Sequence, residues 1–173
     1  GAIVLGVARL VVLAGLALWN RTHQRKPPAG GPLPGVSVLI PAFNEEKVIV
    51  STIERILSST HEKLEVLVVD DGSSDNTAHL ARTHFAHEPR VTVMSIPNGG
   101  KANALNVGLA AARHDIVVAL DADTQFEAAT ISRLVRWFAD PRTGAVAGNA
   151  KVGNRVNMIT RWQALEYVVA QNL

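Results

Sequence analysis

Two aspartates separated by one alanine, Asp121-Ala122-Asp123, close the apolar run Ile116-Val117-Val118-Ala119-Leu120. Three of the five residues in that run are β-branched, which predicts a strand buried on both faces. Carboxylates at the mouth of a dry sheet are costly unless a cation meets them. The carboxyl ends of the strands are also where open α/β sheets bind ligands. A D-x-D there offers hard oxygen ligands for a divalent ion, and such an ion can in turn hold phosphates. Aspartates also form turns and cap helices, so the tripeptide alone leaves both readings open.

Three more apolar runs end in polar groups. After 36–40 comes Pro41-Ala42-Phe43-Asn44-Glu45. A base or ribose can meet backbone groups of this stretch, Pro41, Ala42 and Asn44 included, and the Glu45 carboxylate. Asn44 and Glu45 equally suit a helix cap and a first-turn acid. After 64–69 comes Asp70-Asp71-Gly72-Ser73-Ser74-Asp75, more acids than the capping of one helix requires. After 91–96 comes Asn98-Gly99-Gly100-Lys101, whose free amides and ammonium would face an anion at a helix start. This is not a P-loop: Ser95 stands where the first glycine would be and Ala102 follows the lysine. A G-x-G-x-x-G dinucleotide fingerprint is absent as well. Glu45, Asp70, Asp71, Lys101, Asp121 and Asp123 together suit a nucleotide diphosphate, with acids for base and ribose, a D-x-D metal and a lysine near the phosphates.

The elements that must carry these groups alternate. Strands are expected at 36–40, 64–69, 91–96, 116–120 and 145–150, and helices at 45–58, 76–87, 101–112, 128–138 and 158–173. Ile49, Ile53, Ile56 and Leu57 give the first helix one apolar face, and Asn44 is its expected N-cap. Asp140-Pro141 breaks the fourth. Strand–helix alternation with short loops predicts an α/β fold with a mostly parallel sheet and flanking helices. His79, His84 and His87 are scattered around their helix and read as solvated surface residues.

The chain has 173 residues, 47% of them hydrophobic, and no cysteine. It is long enough for one real core plus a tail. Disulfides, thiolate metal sites and thiol nucleophiles are excluded. Residues 1–35 hold Arg9, Arg21, Arg25 and Lys26 with no acid, so the rest sums to −2 within a whole-chain charge of +2. The basic balance belongs to the tail and does not argue for nucleic acid. Residues 1–19 are apolar apart from Arg9, and 1–20 read as a transmembrane helix with Trp19 at an interface. Arg21, His23, Arg25 and Lys26 place the remainder of the chain in the cytoplasm by the positive-inside rule. Residues 21–35 then form a basic, Pro/Gly-rich linker, and 36–173 the α/β part.

The stretches P-A-F-N-E-E (41–46), V-V-D-D-G-S-S-D-N-T (68–77), N-G-G-K-A-N-A-L-N (98–106) and A-L-D-A-D-T (119–124) resemble the family 2 glycosyltransferases with a GT-A fold. G-N-A-K-V-G-N-R (148–155) and R-W-Q-A-L-E-Y (161–167) resemble its membrane-embedded, processive branch, which includes chitin-oligosaccharide, poly-N-acetylglucosamine, hyaluronan and cellulose synthases. The resemblance covers 36–173. It implies a cell-membrane enzyme with a cytoplasmic catalytic domain. Such an enzyme transfers sugar, N-acetylglucosamine favoured, from a UDP donor to an oligo- or polysaccharide acceptor, with inversion and with Mg²⁺ or Mn²⁺. By position Asp71 resembles the uridine-binding acid, Lys101 a nucleotide-contacting lysine, and Asp121 and Asp123 the D-x-D pair with Asp123 nearest the metal. Asn103 stands where many relatives have glycine.

That branch also uses a later aspartate as general base and a Q-x-x-R-W motif on diphosphate and acceptor. Neither occurs in this sequence, so the base is expected beyond Leu173 and this chain alone is expected to be nearly inactive. Two rival classes remain. A sugar-nucleotide nucleotidyltransferase would show a glycine-rich loop after the first strand, where this chain has P-A-F-N-E. A non-catalytic membrane scaffold would be expected to lose D-x-D or Asp71, and both are present.

Overall fold

The computed structural model describes residues 6, 9, 11–16, 18–19, 27–28, 30–124 and 127–148. Four parallel strands, β1 (Val36–Ala42), β2 (Leu64–Asp70), β3 (Val91–Ser95) and β4 (Ile116–Ala119), form one sheet in the order β3-β2-β1-β4. Helices α1 (Ile49–Leu57), α2 (Thr77–His84) and α3 (Lys101–Ala111) carry the crossovers, and α4 (Thr130–Val135) runs into a 3₁₀ turn, Arg136–Ala139.

Alternation along β1 and β2 divides the core in two. Val36, Val38, Ile40, Val66 and Val68 meet Ile49, Ile53 and Ile56 of α1, Ala81 of α2 and Ile131 and Val135 of α4. Leu39 and Val69 face the other way, against α3. An added Cβ at Gly108 would lie 3.2 Å from both Leu39 and Val69, so glycine lets α3 sit close to the sheet. The chain thus builds leftward from β1 under α1 and α2, then crosses to β4 under α3. That reversal makes a topological switch point between β1 and β4, the place where open α/β sheets take ligands.

The D-x-D strand departs from expectation. β4 is half-buried rather than covered on both faces, and Ala119 is exposed. It pairs with β1 alone, over four residues, so it is the edge of the described sheet. β1 and β2 are the buried pair. Each fully buried Val or Ile there contributes about 1.5–3 kcal/mol, so the core rests on these two strands.

Element ends also differ. α1 begins at Ile49 because 46–48 form a turn, with Glu45 C=O accepting from the Val48 and Ile49 amides. Asn44 is not its N-cap: it sits at φ +56° and its side chain serves another loop. Residues 145–148 form no strand, since this small-residue run stays largely exposed and joins no sheet among the described residues. Residues 149–150 and the expected helix over 158–173 lie outside the described residues. Of 1–20, the described positions are helical and exposed; among the described residues no helix is long and apolar enough to cross a membrane. Residues 21–26 lie outside the description. The end of the linker is docked, with Leu33 on the core and Pro34 C=O accepting from His61 Nε2 at 3.0 Å.

A buried carboxylate ties the opposite end of the sheet. Glu65 Oε1 accepts from the Ser37 hydroxyl (2.6 Å) and the Arg113 amide (2.7 Å), while Ser37 Oγ accepts from the His114 amide. Burial works to raise the Glu65 pKa. The Ser37 hydroxyl, the Arg113 amide and the Arg113 and His114 charges outweigh it and hold the pKa below the usual 4.5. A depressed carboxylate stabilises the fold fully above its unfolded pKa and loses that contribution as pH falls through the folded value. Glu65→Ala should therefore lower the unfolding free energy by about 1–3 kcal/mol in neutral urea titrations. The deficit should shrink below pH 4.

Candidate functional site

At the C-terminal ends of the strands, Ala42, Asp70 and Ser95 stand in register across β1, β2 and β3. On the β4 side, pairing ends where the Leu120 amide donates to Leu39 C=O. The next backbone group of β1 on that side belongs to Pro41, which has no N–H to give. The two strands part there and a mouth opens.

The loops after β1 and β2 are laced across one lip of this mouth. The Asn44 amide donates to Ser73 Oγ (2.9 Å), the Glu45 amide to Thr77 Oγ1 (2.7 Å) and the Glu46 amide to Asp75 Oδ2 (3.2 Å). In return the Ser74 amide donates to Asn44 Oδ1 (2.9 Å) and the Asn76 amide to Glu46 Oε2 (3.2 Å). The left-handed φ of Asn44, tolerated by Asn better than by most residues, lets backbone and side chain reach the same loop. Desolvation works to raise the Asp75 pKa. The Thr77 hydroxyl and the Thr77 and Glu46 amides outweigh it and hold the pKa below its usual value.

Asp70 and Asp71 turn inward and are both buried. Asp70 Oδ2 accepts from Ser95 Oγ at 3.1 Å, and that hydroxyl accepts from Arg82 Nη2 at 2.7 Å. Asp71 uses both oxygens: Oδ1 accepts from the Gly99 amide and Oδ2 from the Gly100 amide, each at 2.8 Å. The amides expected to face an external anion at Gly99 and Gly100 already face this carboxylate. Gly72 makes the approach possible, since at φ +71° an added Cβ would lie 2.8 Å from the Asn98 amide nitrogen. Asn103 packs its carboxamide over Gly99, which fills the space that a glycine there would leave open.

Asp71 therefore places the first turn of α3, and Lys101 is its first residue. From there the Lys101 ammonium donates to Asp121 Oδ1, joining α3 to the D-x-D turn. The turn itself is pinned from behind: Ala122 is buried, its C=O accepts from Thr52 Oγ1, and the Thr124 amide donates to Asp121 C=O. Asp121 and Asp123 are left exposed on either side of Ala122.

The residues singled out from sequence thus divide. Lys101 and Asp121 are brought together, with Asp123 on the same turn. Pro41 is half-buried at the mouth, and Ala42 is buried with its C=O accepting from the Asp71 amide. Asn44 and Glu45 spend their amides on the lacing. Thr52, Thr77, Arg82 and Ser95 also position the site and were not singled out, and Ser73 and Asp75 stood out only as part of the acidic 70–75 stretch. The S-S-D-N-T run, rich in Asx- and Ser/Thr-turn formers, was the signal for three of them. His84 meets Glu54 at 3.1 Å on the surface.

Among the described residues, no group of three or more His, Asp or Glu could hold a metal alone. Two exposed carboxylates on one turn do fit an ion that takes its remaining ligands from substrate phosphates and water, as Mg²⁺ does in phosphate-handling sites.

These features define a parallel α/β protein with its anion- and cation-bearing groups at the switch point. The sequence profile described as Glycosyl transferase family 2 matches residues 37–170, so the chain belongs to that family. Its sheet is of the GT-A kind. Poly-beta-1,6-N-acetyl-D-glucosamine synthase of Staphylococcus aureus (strain COL) is 37% identical over 136 residues, covering 78% of this chain and 33% of the synthase. The chain spans about a third of such relatives' length. The mannosyltransferase PcManGT of Pyrobaculum calidifontis, solved with GDP-Man and Mn²⁺, superposes with a TM-score of 0.68. It is 31% identical, covering 81% of this chain and 44% of that one. Staphylococcus aureus TarS in complex with UDP superposes with a TM-score of 0.52. It is 27% identical over 57% of this chain and 30% of its own.

The Asp71 clamp can be read directly. Asp71→Asn keeps one acceptor and sets a second donor against the other glycine amide. A charge-assisted hydrogen bond contributes about 1.5–3 kcal/mol. Amide exchange at Gly99 and Gly100, followed by NMR, should therefore accelerate roughly tenfold or more. Unchanged exchange would show that the clamp does not hold the loop.

Proposed function

We propose that this chain carries the donor-binding part of an inverting glycosyltransferase that uses a UDP-sugar, UDP-N-acetylglucosamine favoured, to extend an oligo- or polysaccharide. The observation that carries the reading is the convergence of Lys101 and the Asp121-Ala122-Asp123 turn at the switch-point mouth. The identity to poly-N-acetylglucosamine synthases supports the sugar, and the UDP complex of TarS supports the nucleotide.

Asp123 and Asp121 would hold Mg²⁺ or Mn²⁺, which supplies charge neutralisation for the departing diphosphate. The Mn²⁺ in the PcManGT structure supports a divalent ion. Lys101 contributes a further positive charge to the phosphates. The laced loops 43–46 and 71–77 give the nucleoside a rigid floor, with Pro41, Asn44 and Glu45 on its β1 side. Preorganised groups of this kind act by alignment and electrostatics rather than by forming bonds. The apolar, Arg-flanked start of the chain supports anchoring in the cell membrane with the catalytic part in the cytoplasm.

Two measurements test this. Calorimetry should show UDP binding that chelator removes, and Asp123→Asn should abolish the metal-dependent part while leaving the fold intact. Equal affinity with and without chelator would refute the metal reading. GDP in the same titration separates UDP from the nucleotide of the mannosyltransferase: UDP should bind at least tenfold tighter.

For topology, a cysteine placed in the 27–35 linker should react with an impermeant reagent in inverted vesicles and not in intact cells. Labelling from outside intact cells would reverse the orientation and separate the site from cytoplasmic UDP-sugar.

A further inference from the structure

We propose that Lys101 is the resident counter-ion of the D-x-D turn, so that a divalent cation reaches Asp121 Oδ1 only by displacing it. The nucleotide diphosphate makes that displacement favourable. This inference rests on the donor-site reading above and adds to it an order of assembly: metal and nucleotide bind as a coupled pair.

The Lys101 ammonium donates to Asp121 Oδ1 from a different element, 20 residues away in sequence. Neither partner floats freely. Asp71 holds the Gly99-Gly100 amides immediately before Lys101, and Thr52 holds the carbonyl immediately after Asp121. Their backbones are therefore fixed within side-chain reach. Both side chains are nonetheless more than half exposed, at 61% and 57%. An exposed pair of this kind is weak, too weak to bar a divalent ion that arrives with a diphosphate. It is enough to weaken a divalent ion arriving alone. That ion must break the ammonium contact, which leaves the Lys101 charge close by without its carboxylate partner.

A diphosphate changes the balance by giving the displaced ammonium a new anionic partner. Lys101 thus penalises the metal-only state and rewards the metal–nucleotide state. Coupling of this sort is reciprocal between the two ligands.

Free Mn²⁺ measured by electron paramagnetic resonance, in titrations of the whole chain with and without UDP, reads this directly. Lys101→Gln should bind Mn²⁺ alone roughly threefold tighter than the wild type, in line with the modest strength of an exposed pair. The tightening of Mn²⁺ binding on adding UDP should be smaller in Lys101→Gln by at least a similar factor. Lys101→Arg, which keeps the charge, should behave as wild type in both titrations. A Lys101→Gln chain that takes up Mn²⁺ no more tightly than wild type, or keeps the full response to UDP, overturns the inference. Asp123→Asn in the same assay separates the two levels. If it binds Mn²⁺ with UDP as wild type does, the donor-site reading itself falls. If it loses that binding while Lys101→Gln changes nothing, the donor site stands and the role of Lys101 does not.

Discussion

A buried carboxylate has to be answered, and the answer that Asp71 finds sets the geometry of the site. At 4% exposure it cannot rely on water. It takes two amides from consecutive residues, Gly99 and Gly100, that sit before α3. The pairing joins the end of β2 to the start of α3, and Lys101 lies one residue further on. The same contact that satisfies Asp71 therefore delivers a cation to the strand mouth. Asp70 is answered separately, by Ser95 backed by Arg82, so neither acid of the pair depends on a ligand for its burial.

The mouth itself is a consequence of one missing donor and one change of direction. β1 is paired with β2 to its end at Ala42 but with β4 only to Leu39. Pro41 offers nothing to extend the second ladder. Among the described residues, α1 and α2 cover one face and α3 the other, which puts the change of face between β1 and β4. The D-x-D turn leaves the sheet there, with Ala122 buried behind it and both aspartates outside. Exposure, which would be a poor sign in a structural ion pair, is what a site for a large charged donor requires.

The two ends of the sheet treat charge differently. At the amino ends Glu65 is buried, in register with Ser37, and accepts from the Ser37 hydroxyl and the Arg113 amide, while Ser37 Oγ accepts from the His114 amide. It is a tie between β1, β2 and the approach to β4, with its hydrogen bonds directed inward. At the carboxyl ends the outermost charges, Lys101, Asp121 and Asp123, are directed to solvent, and only the supporting ones are buried. The fold thus keeps stabilising and ligand-facing electrostatics apart, which allows the second set to change partners without loosening the core.

The sequence alone was enough for the class of fold and for the stretches that carry its chemistry. Apolar runs of four to seven residues alternating with one-faced helices leave little besides a parallel α/β sheet, and polar groups at run ends mark its ligand side. It was also enough for the family, because four separated stretches match together. What each polar group does was decided in three dimensions. Asp71 and Lys101 are 30 positions apart, and nothing local says that the acid holds the loop and the lysine meets Asp121. Asn44 looks like a cap in sequence because its neighbours are helical, but its left-handed backbone is set by the loop after β2. The burial of β4 was over-read for the same reason. Composition reports what a strand can tolerate, whereas the neighbours it finds in the sheet determine how much of it is covered.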